Sequence, residues 1–347
     1  MRRFNMAVMA ALTLTAALTA APATAHGDPA PLGIDHCTPT ACHFDVPPDS
    51  YDVRVVLGGD GESSTSVNAE TRRAMLPETA VPAGARIVRS FTVDVRSPEG
   101  EPTGAVGTPG LDLALGGSAP ALADIRVTPA RHVRQIILIG DSTVCDQPAD
   151  PYTGWGQQLP QYLSKGITVA NYADSGESTV TYLGNPLLWA TVQPLIRPGD
   201  LVLVQLAHND KTTDGTTYRA NLEKLVTGVR DKGGRPVLVT PIVRRWFNAD
   251  GTLNNPTALL VNGLGVDHPA VIRSVAAAWG VPLVDLTAKT KALVESLGAE
   301  KSKALYLYNE KRDNTHTSLN GATLYAGLVR DELVARHLVS KAAVQVG

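Results

Sequence analysis

Aromatic side chains make up only 5% of this chain. Between residues 26 and 130 they are just Phe44, Tyr51 and Phe91. A region so poor in rings offers few platforms on which sugars or bases could stack. Blocks of like charge are absent and the net charge is −2, which excludes a nucleic-acid-binding surface. Beyond residue 21 there is no long apolar run, so no membrane partner is expected once the first segment is removed. Cysteine is nearly absent, with three in all. No His/Cys/Asp/Glu cluster with metal-ligand spacing lies near the residues singled out below, so neither a metal nor another cofactor is expected.

The first segment has its own signature. Arg2 and Arg3 precede an apolar stretch, Met6 to Ala21, and Ala23-Thr24-Ala25 offers a small-residue cleavage site. Residues 1–25 therefore read as a secretory signal peptide, and the mature protein is expected to be secreted. Cys37 and Cys42 lie in His36-Cys37-Thr38-Pro39-Thr40-Ala41-Cys42-His43. In an exported chain the default is a local disulfide. The flanking His residues leave a zinc reading open. Cys145 reads as a small buried apolar side chain.

Hydrophobic residues, at 44%, are ample for a packed core. From about 35 to 128 the pattern alternates. Tyr51, Val53 and Val55 are separated by polar residues, as are Phe91, Val93 and Val95. Leu111, Leu113 and Leu115 repeat the spacing, followed by Ile125 and Val127. Turn clusters such as Gly58-Gly59-Asp60-Gly61 punctuate these runs, which predicts a small β-sandwich over 26–130. From 131 to 347 the runs become continuously apolar: Ile136–Ile139, Ile167–Ala170, Leu201–Leu206, Pro236–Thr240 and Val281–Leu286. Helical segments such as Tyr218–Arg230 and Pro269–Trp279 lie between them. The last segment, Gly321–Leu338, has helical spacing at Leu324, Leu328 and Val334. This alternation predicts a second, α/β domain: a parallel sheet covered on both faces.

In such a sheet, ligands bind beyond the carboxyl ends of the strands. Gly140-Asp141-Ser142 follows the first apolar run, Asp174-Ser175-Gly176 the second, and His208-Asn209-Asp210 the third. Far downstream stands Asp313-Asn314-Thr315-His316. Ser142 is placed to be a nucleophile. His316 could take its proton, and Asp313 could hold the imidazole tautomer: the minimum set for acyl transfer. The backbone N–H groups of Ser142 and Gly176 and the side-chain amide of Asn209 are candidate oxyanion donors. Each residue alone has a plainer reading. Asn209, Asp210 or Asp313 could cap a helix, and a lone His316 could be an ordinary surface residue. Four elements in order, each at a strand end, argue for chemistry. Gly-x-Ser-x-Gly is absent, because Val144 stands where the second Gly would be.

With these residues the chain resembles the SGNH (GDSL-type) hydrolases, whose four blocks match Gly140-Asp141-Ser142, Gly176, Asn209 and Asp313-x-x-His316. The resemblance spans about 133–338. It implies a three-layer, flavodoxin-like parallel five-stranded sheet, with Ser142, Asp313 and His316 as triad and Ser142, Gly176 and Asn209 as oxyanion hole. Within that family it is most similar to rhamnogalacturonan acetylesterases. Gly154-Trp155-Gly156-Gln157, Gly199-Asp200, His208-Asn209-Asp210 and Asp313-x-Thr315-His316 look like that group. So do His43–Pro48 and Ala69–Arg73, in the β-domain that some members carry. The resemblance implies a secreted, monomeric esterase that removes O-acetyl groups from a plant polysaccharide such as pectic rhamnogalacturonan. Trp155, Glu177 and His208 are expected to touch the substrate. Ala207 replaces the group's usual Gly, and Glu177 its usual Arg. Acetyl-xylan, a small ester or a lipid are alternative substrates for the same chemistry. A non-catalytic sugar-binding protein is the alternative from another class.

Overall fold

The computed structural model describes residues 32–105 and 107–345. The expected signal peptide, 1–25, lies outside them. The described residues belong to one compact unit.

The first half is antiparallel. Strands β1 (Ala41–Phe44), β6 (Leu111–Ala119), β3 (Ser63–Ala69) and β4 (Arg73–Val81) form one sheet, in that order. Strands β5 (Arg86–Val95), β2 (Asp49–Gly58) and β7 (Leu122–Pro129) form the other. Alternation drives the pairing, as expected: Tyr51, Val53, Val55, Phe91, Val93, Leu111, Leu113, Ile125 and Val127 all enter one core with Phe44. All three aromatics of this half are thus buried. Cys37 and Cys42 are bonded to each other, which uses the two thiols that a zinc site would have needed. The flanking histidines have partners of their own: His36 lies against Phe44 and His43 Nδ1 is 2.8 Å from Asp112.

Strand β5 departs from the polar-out rule. Its outward residues Thr92 and Asp94 are also buried. The reason is that this face packs on the second half. Gly166 N donates to Thr92 Oγ1 at 2.8 Å, and Gln135 Nε2 to Asp94 Oδ1 at 3.1 Å.

The second half is a five-stranded parallel sheet. Its strands are β8 (Arg134–Gly140), β9 (Ile167–Asn171), β10 (Leu201–Gln205), β11 (Arg235–Val239) and β12 (Leu283–Val284), in the order β12-β11-β10-β8-β9. Counted within the sheet, that is the flavodoxin-like order 2-1-3-4-5, whose switch point lies between β8 and β10. Successive side chains of β8 alternate faces. Ile136 and Leu138 join the core under helices Leu286–Lys301 and Leu319–Ala335. Ile137 and Ile139 join the core under helices Gly215–Arg230 and His268–Trp279. The three layers are therefore two helical layers and the sheet between them.

One helix turns a different face inward from the one its spacing suggested. In Leu319–Ala335 the buried stripe is Ala322, Tyr325, Ala326, Val329 and Leu333, while Leu324 is exposed. Small residues at 321, 322 and 326 let this helix approach closely. A Cβ on Gly321 would stand 1.9 Å from Leu305 O. Close backbone packing outweighed the larger leucines.

Candidate active site

β8 delivers Ser142 to the carboxyl edge of the sheet. Its last residue must be glycine, since a Cβ on Gly140 would meet the Val144 side chain at 2.6 Å. The chain then turns at once. Val144 N and Cys145 N both reach Asp141 O, at 2.9 and 3.1 Å. This turn leaves Ser142 at its start, half-buried.

Asp141 fixes the turn from below. Its Oδ1 accepts Thr143 N at 3.0 Å and Thr143 Oγ1 at 2.7 Å. Its Oδ2 faces His208 Nδ1 at 3.1 Å. Full burial would push the carboxyl up; the attraction and hydrogen bond of His208, with the Thr143 donors, hold it below its ordinary value. His208 Nε2 faces Ile242 O at 3.1 Å. Trp155 is only 1% exposed and donates its indole N–H to Gln205 Oε1 at 3.0 Å. Gln205 in turn donates to Thr143 Oγ1 at 2.8 Å.

Of the three expected substrate contacts, two are buried. Trp155 and His208 (2% exposed) spend their polar atoms inward, holding the Ser142 turn from behind. Glu177, the third, is half-buried at the surface of the site, and burial raises its carboxyl.

The loops after β9 and β10 are tied to the Ser142 turn and to each other. Asp174 N donates to Gly140 O at 3.1 Å, drawing the loop after β9 alongside the Ser142 turn. Gly176 has φ of 83°, in the left-handed region that favours glycine. After β10, Asn209 Nδ2 donates to Glu177 O at 3.2 Å, tying the third loop to the second. Asp210 accepts Thr179 N and Oγ1, at 2.9 and 2.6 Å. It therefore holds the start of helix Thr179–Gly184.

His316 comes from the other end of the chain. Its Nε2 is 2.9 Å from Ser142 Oγ, across 174 residues of sequence. Its Nδ1 is 2.6 Å from Asp313 Oδ2. Asp313 Oδ1 accepts Thr315 N at 2.7 Å and His316 N at 3.0 Å. Partial burial would raise this carboxyl, but the His316 bond and the two amides win, and it falls to about 2. Asp313 is thus an ionised acceptor throughout the ordinary pH range. The imidazole edge meets the Tyr152 ring at 5.3 Å between centroids.

Several supports carried no sequence signal because their partners are distant. Arg245 Nη1 donates to Asn314 Oδ1 at 2.8 Å, and Arg245 N to Asn314 O at 2.8 Å; together they pin the Asp313–His316 loop. Gln147 Nε2 donates to Ser142 O at 2.8 Å. The antiparallel half reaches in as well. Arg73 and Arg96, both buried, meet Asp146 Oδ2 at 3.2 and 3.4 Å. Asp146 Oδ1 accepts Asn171 Nδ2 at 2.8 Å. Ser175 N donates to Glu101 Oε2 at 2.6 Å, and Thr103 Oγ1 to Asp174 Oδ2 at 2.6 Å. Arg72 donates to Gln147 O and Tyr152 O. The β-sandwich therefore braces both the Ser142 and the Gly176 loops. Cys145 is a free, fully buried thiol, and burial raises its pKa.

A cavity of about 850 Å³ opens at the amino ends of the strands, around Arg134, Leu201 and Arg235, at the opposite edge from this chemistry. No group of His, Cys, Asp and Glu among the described residues is arranged to hold a metal ion, and no described helix is long and apolar enough to cross a membrane.

Comparison with known proteins fits this geometry. Residues 138–322 match the model of the GDSL-like Lipase/Acylhydrolase family. The rhamnogalacturonan acetylesterase RhgT of Bacillus subtilis is 36% identical over 229 residues, 60% of this chain and 95% of that protein. A probable rhamnogalacturonan acetylesterase of the same organism, YesY, is 33% identical over 204 residues, 56% of this chain and 89% of its own. The crystal structure of YxiM, also from Bacillus subtilis, superposes with a TM-score of 0.54 at 25% identity. That match covers 87% of this chain and 81% of the other.

Proposed function

This chain belongs to the GDSL-like lipase/acylhydrolase family and is a carboxylic-ester hydrolase; we propose that it removes O-acetyl groups from a plant cell-wall polysaccharide, pectic rhamnogalacturonan first. The observation that carries the chemistry is the unbroken line Ser142 Oγ–His316 Nε2 and His316 Nδ1–Asp313 Oδ2, at 2.9 and 2.6 Å. The polysaccharide is supported by the names of the two acetylesterases just described.

Ser142 Oγ attacks the acetyl carbonyl carbon while its proton passes to His316 Nε2. Asp313 stabilises the imidazolium that forms and keeps the Nδ1 proton facing it. The carbonyl electrons move onto oxygen, where the Ser142 and Gly176 N–H groups and Asn209 Nδ2 receive the charge. Collapse breaks the bond to the sugar oxygen, which takes the proton from His316. Water then attacks acetyl-Ser142 with His316 again as base; the bond to Ser142 Oγ breaks, Ser142 takes that proton from His316, and acetate leaves. Every step is served by groups of one chain, and we propose that it works as a secreted monomer; export rests on the character of residues 1–25.

Acetate release from a panel of acetylated pectins, xylans and mannans tests the substrate. Rhamnogalacturonan is expected to show the highest kcat/KM. A xylan or mannan preferred over it by tenfold would replace that assignment, and activity on small aryl esters alone would remove the polysaccharide.

A further inference from the structure

Beside the site lies a cavity of about 340 Å³, walled by Ala207, His208 and Lys211 of the loop after β10, by Arg244, and by Asn262 and His268. It shares a wall with the proposed oxyanion loop, because Asn209 lies between His208 and Lys211. The two are also joined physically: Arg244 Nη2 donates to His208 O at 2.9 Å. The volume is within the range of small-ligand sites.

Its charge is one-sided. Two full cations, Lys211 and Arg244, line it, and none of its lining residues is a carboxylate. The acids whose charge reaches its lining already accept hydrogen bonds of their own: Asp141 and Asp313, which act on Arg244, from Thr143 and from the Thr315 and His316 amides, and Asp267, which acts on His268, from Ala270 N. Among the described residues no carboxylate pairs with Lys211 or Arg244. Lys211 is exposed, whereas Arg244 is half-buried and its Nε lacks a hydrogen-bond partner. His268 Nδ1 meets Leu260 O at 2.9 Å, while its buried Nε2 is also without a partner. A desolvated guanidinium with unspent donor capacity gains most from an anion that can accept from it.

We infer that this cavity is a subsite for the carboxylate of an acidic sugar residue, a uronate, neighbouring the acetylated position. The inference rests on the polysaccharide reading above and deepens it. It makes the enzyme selective for acetyl groups on acidic chains over those on neutral ones. A uronate carboxylate seated there would face Arg244 inside and Lys211 at the rim, with the loop that carries Asn209 as the wall shared with the site.

The test compares one acetylated uronate polymer in two forms, with free carboxylates and with the carboxylates methyl-esterified. The quantity measured is the ratio of kcat/KM for the acidic over the neutral form. Wild type is expected to favour the acidic form, with the preference shrinking at high ionic strength. Lys211→Glu, at an exposed position that tolerates replacement, is expected to lower that ratio about tenfold, mostly through KM. Lys224→Glu makes the same charge change on helix Gly215–Arg230, outside the cavity, and is expected to keep the wild-type ratio. An unchanged ratio in Lys211→Glu, or an equal fall in Lys224→Glu, overturns the subsite and leaves the polysaccharide assignment standing. Wild type that hydrolyses a small aryl acetate but releases no acetate from either polymer overturns both.

Discussion

Replacing Asp313 by Asn separates charge and tautomer from mere hydrogen bonding. The carboxylate has three donors around it: His316 Nδ1 at 2.6 Å, Thr315 N at 2.7 Å and His316 N at 3.0 Å. Asn offers one oxygen and one NH2. Two of the three donors are backbone amides on the same atom, so the oxygen of Asn will take that side. Its NH2 then faces Nδ1, which must accept. The ring proton is driven to Nε2, the atom 2.9 Å from Ser142 Oγ. A protonated Nε2 cannot take the serine proton, so the geometry survives and the base does not. The expected loss in kcat is about 10³–10⁴, equivalent to about 4–5.5 kcal/mol of transition-state stabilisation. Asp313→Ala imposes no tautomer, so it is expected to be no worse than Asn. The assay is steady-state hydrolysis of an aryl acetate, with imidazole nitrogen NMR reporting which nitrogen is protonated. An Asn variant within tenfold of wild type, or tenfold better than Ala, would refute the tautomer argument.

Asn209→Ala removes one proposed oxyanion donor and is expected to lower kcat by about 10²–10³ with KM little changed; a KM effect alone would assign Asn209 to ground-state binding. In pH terms, the folded-state value of Asp313 is depressed to about 2. Its stabilising contribution is therefore complete above the ordinary carboxylate range and lost only as pH falls through about 2. Across the ordinary pH range kcat/KM is then expected to show no ionisation of Asp313; a carboxyl resonance of Asp313 that titrates above about pH 4 would contradict this. Asp146→Ala leaves the buried Arg73 and Arg96 guanidiniums without that partner and is expected to cost about 3–5 kcal/mol, read as a fall in Tm of several degrees. Asp146→Asn, which can still accept a hydrogen bond, is expected to lose less, and a Tm unchanged in both would show that the network is energetically idle.

The fold class was legible because the period changes near residue 131, from strict alternation to continuous apolar runs, as the chain passes from a two-sheet sandwich to a sheet covered on both faces. The strands observed follow those runs closely, except that Val281–Leu286 yields only two residues of strand before helix Leu286–Lys301 begins. Ser142, Gly176, Asn209, Asp313 and His316 were legible for one topological reason. Ser142, Gly176 and Asn209 follow β8, β9 and β10 at the same sheet edge, and Asp313 and His316 lie in the loop that returns to it before helix Leu319–Ala335. What sequence could not tell is which way a polar side chain beside that edge points. Trp155 and His208 turn inward because Gln205 and Asp141, each far away in the chain, offer buried partners. Arg73, Arg96, Glu101 and Thr103 carried no signal for the same reason. Their partners are Asp146, Ser175 and Asp174, and only the docking of β4, β5 and the loop after β5 on the second half brings them there.

The central claim is that Ser142 carries the acetyl group between sugar and water. The most direct measurement follows acetate release from acetylated rhamnogalacturonan by wild type and by Ser142→Ala, with circular dichroism confirming that both are folded. In parallel, acid-quenched wild type is digested and weighed by mass spectrometry. The account predicts steady acetate release by wild type, an acetylated peptide containing Ser142, and release by the Ala variant lower by at least about 10⁴. A folded Ser142→Ala protein that releases acetate at a rate near wild type would contradict it.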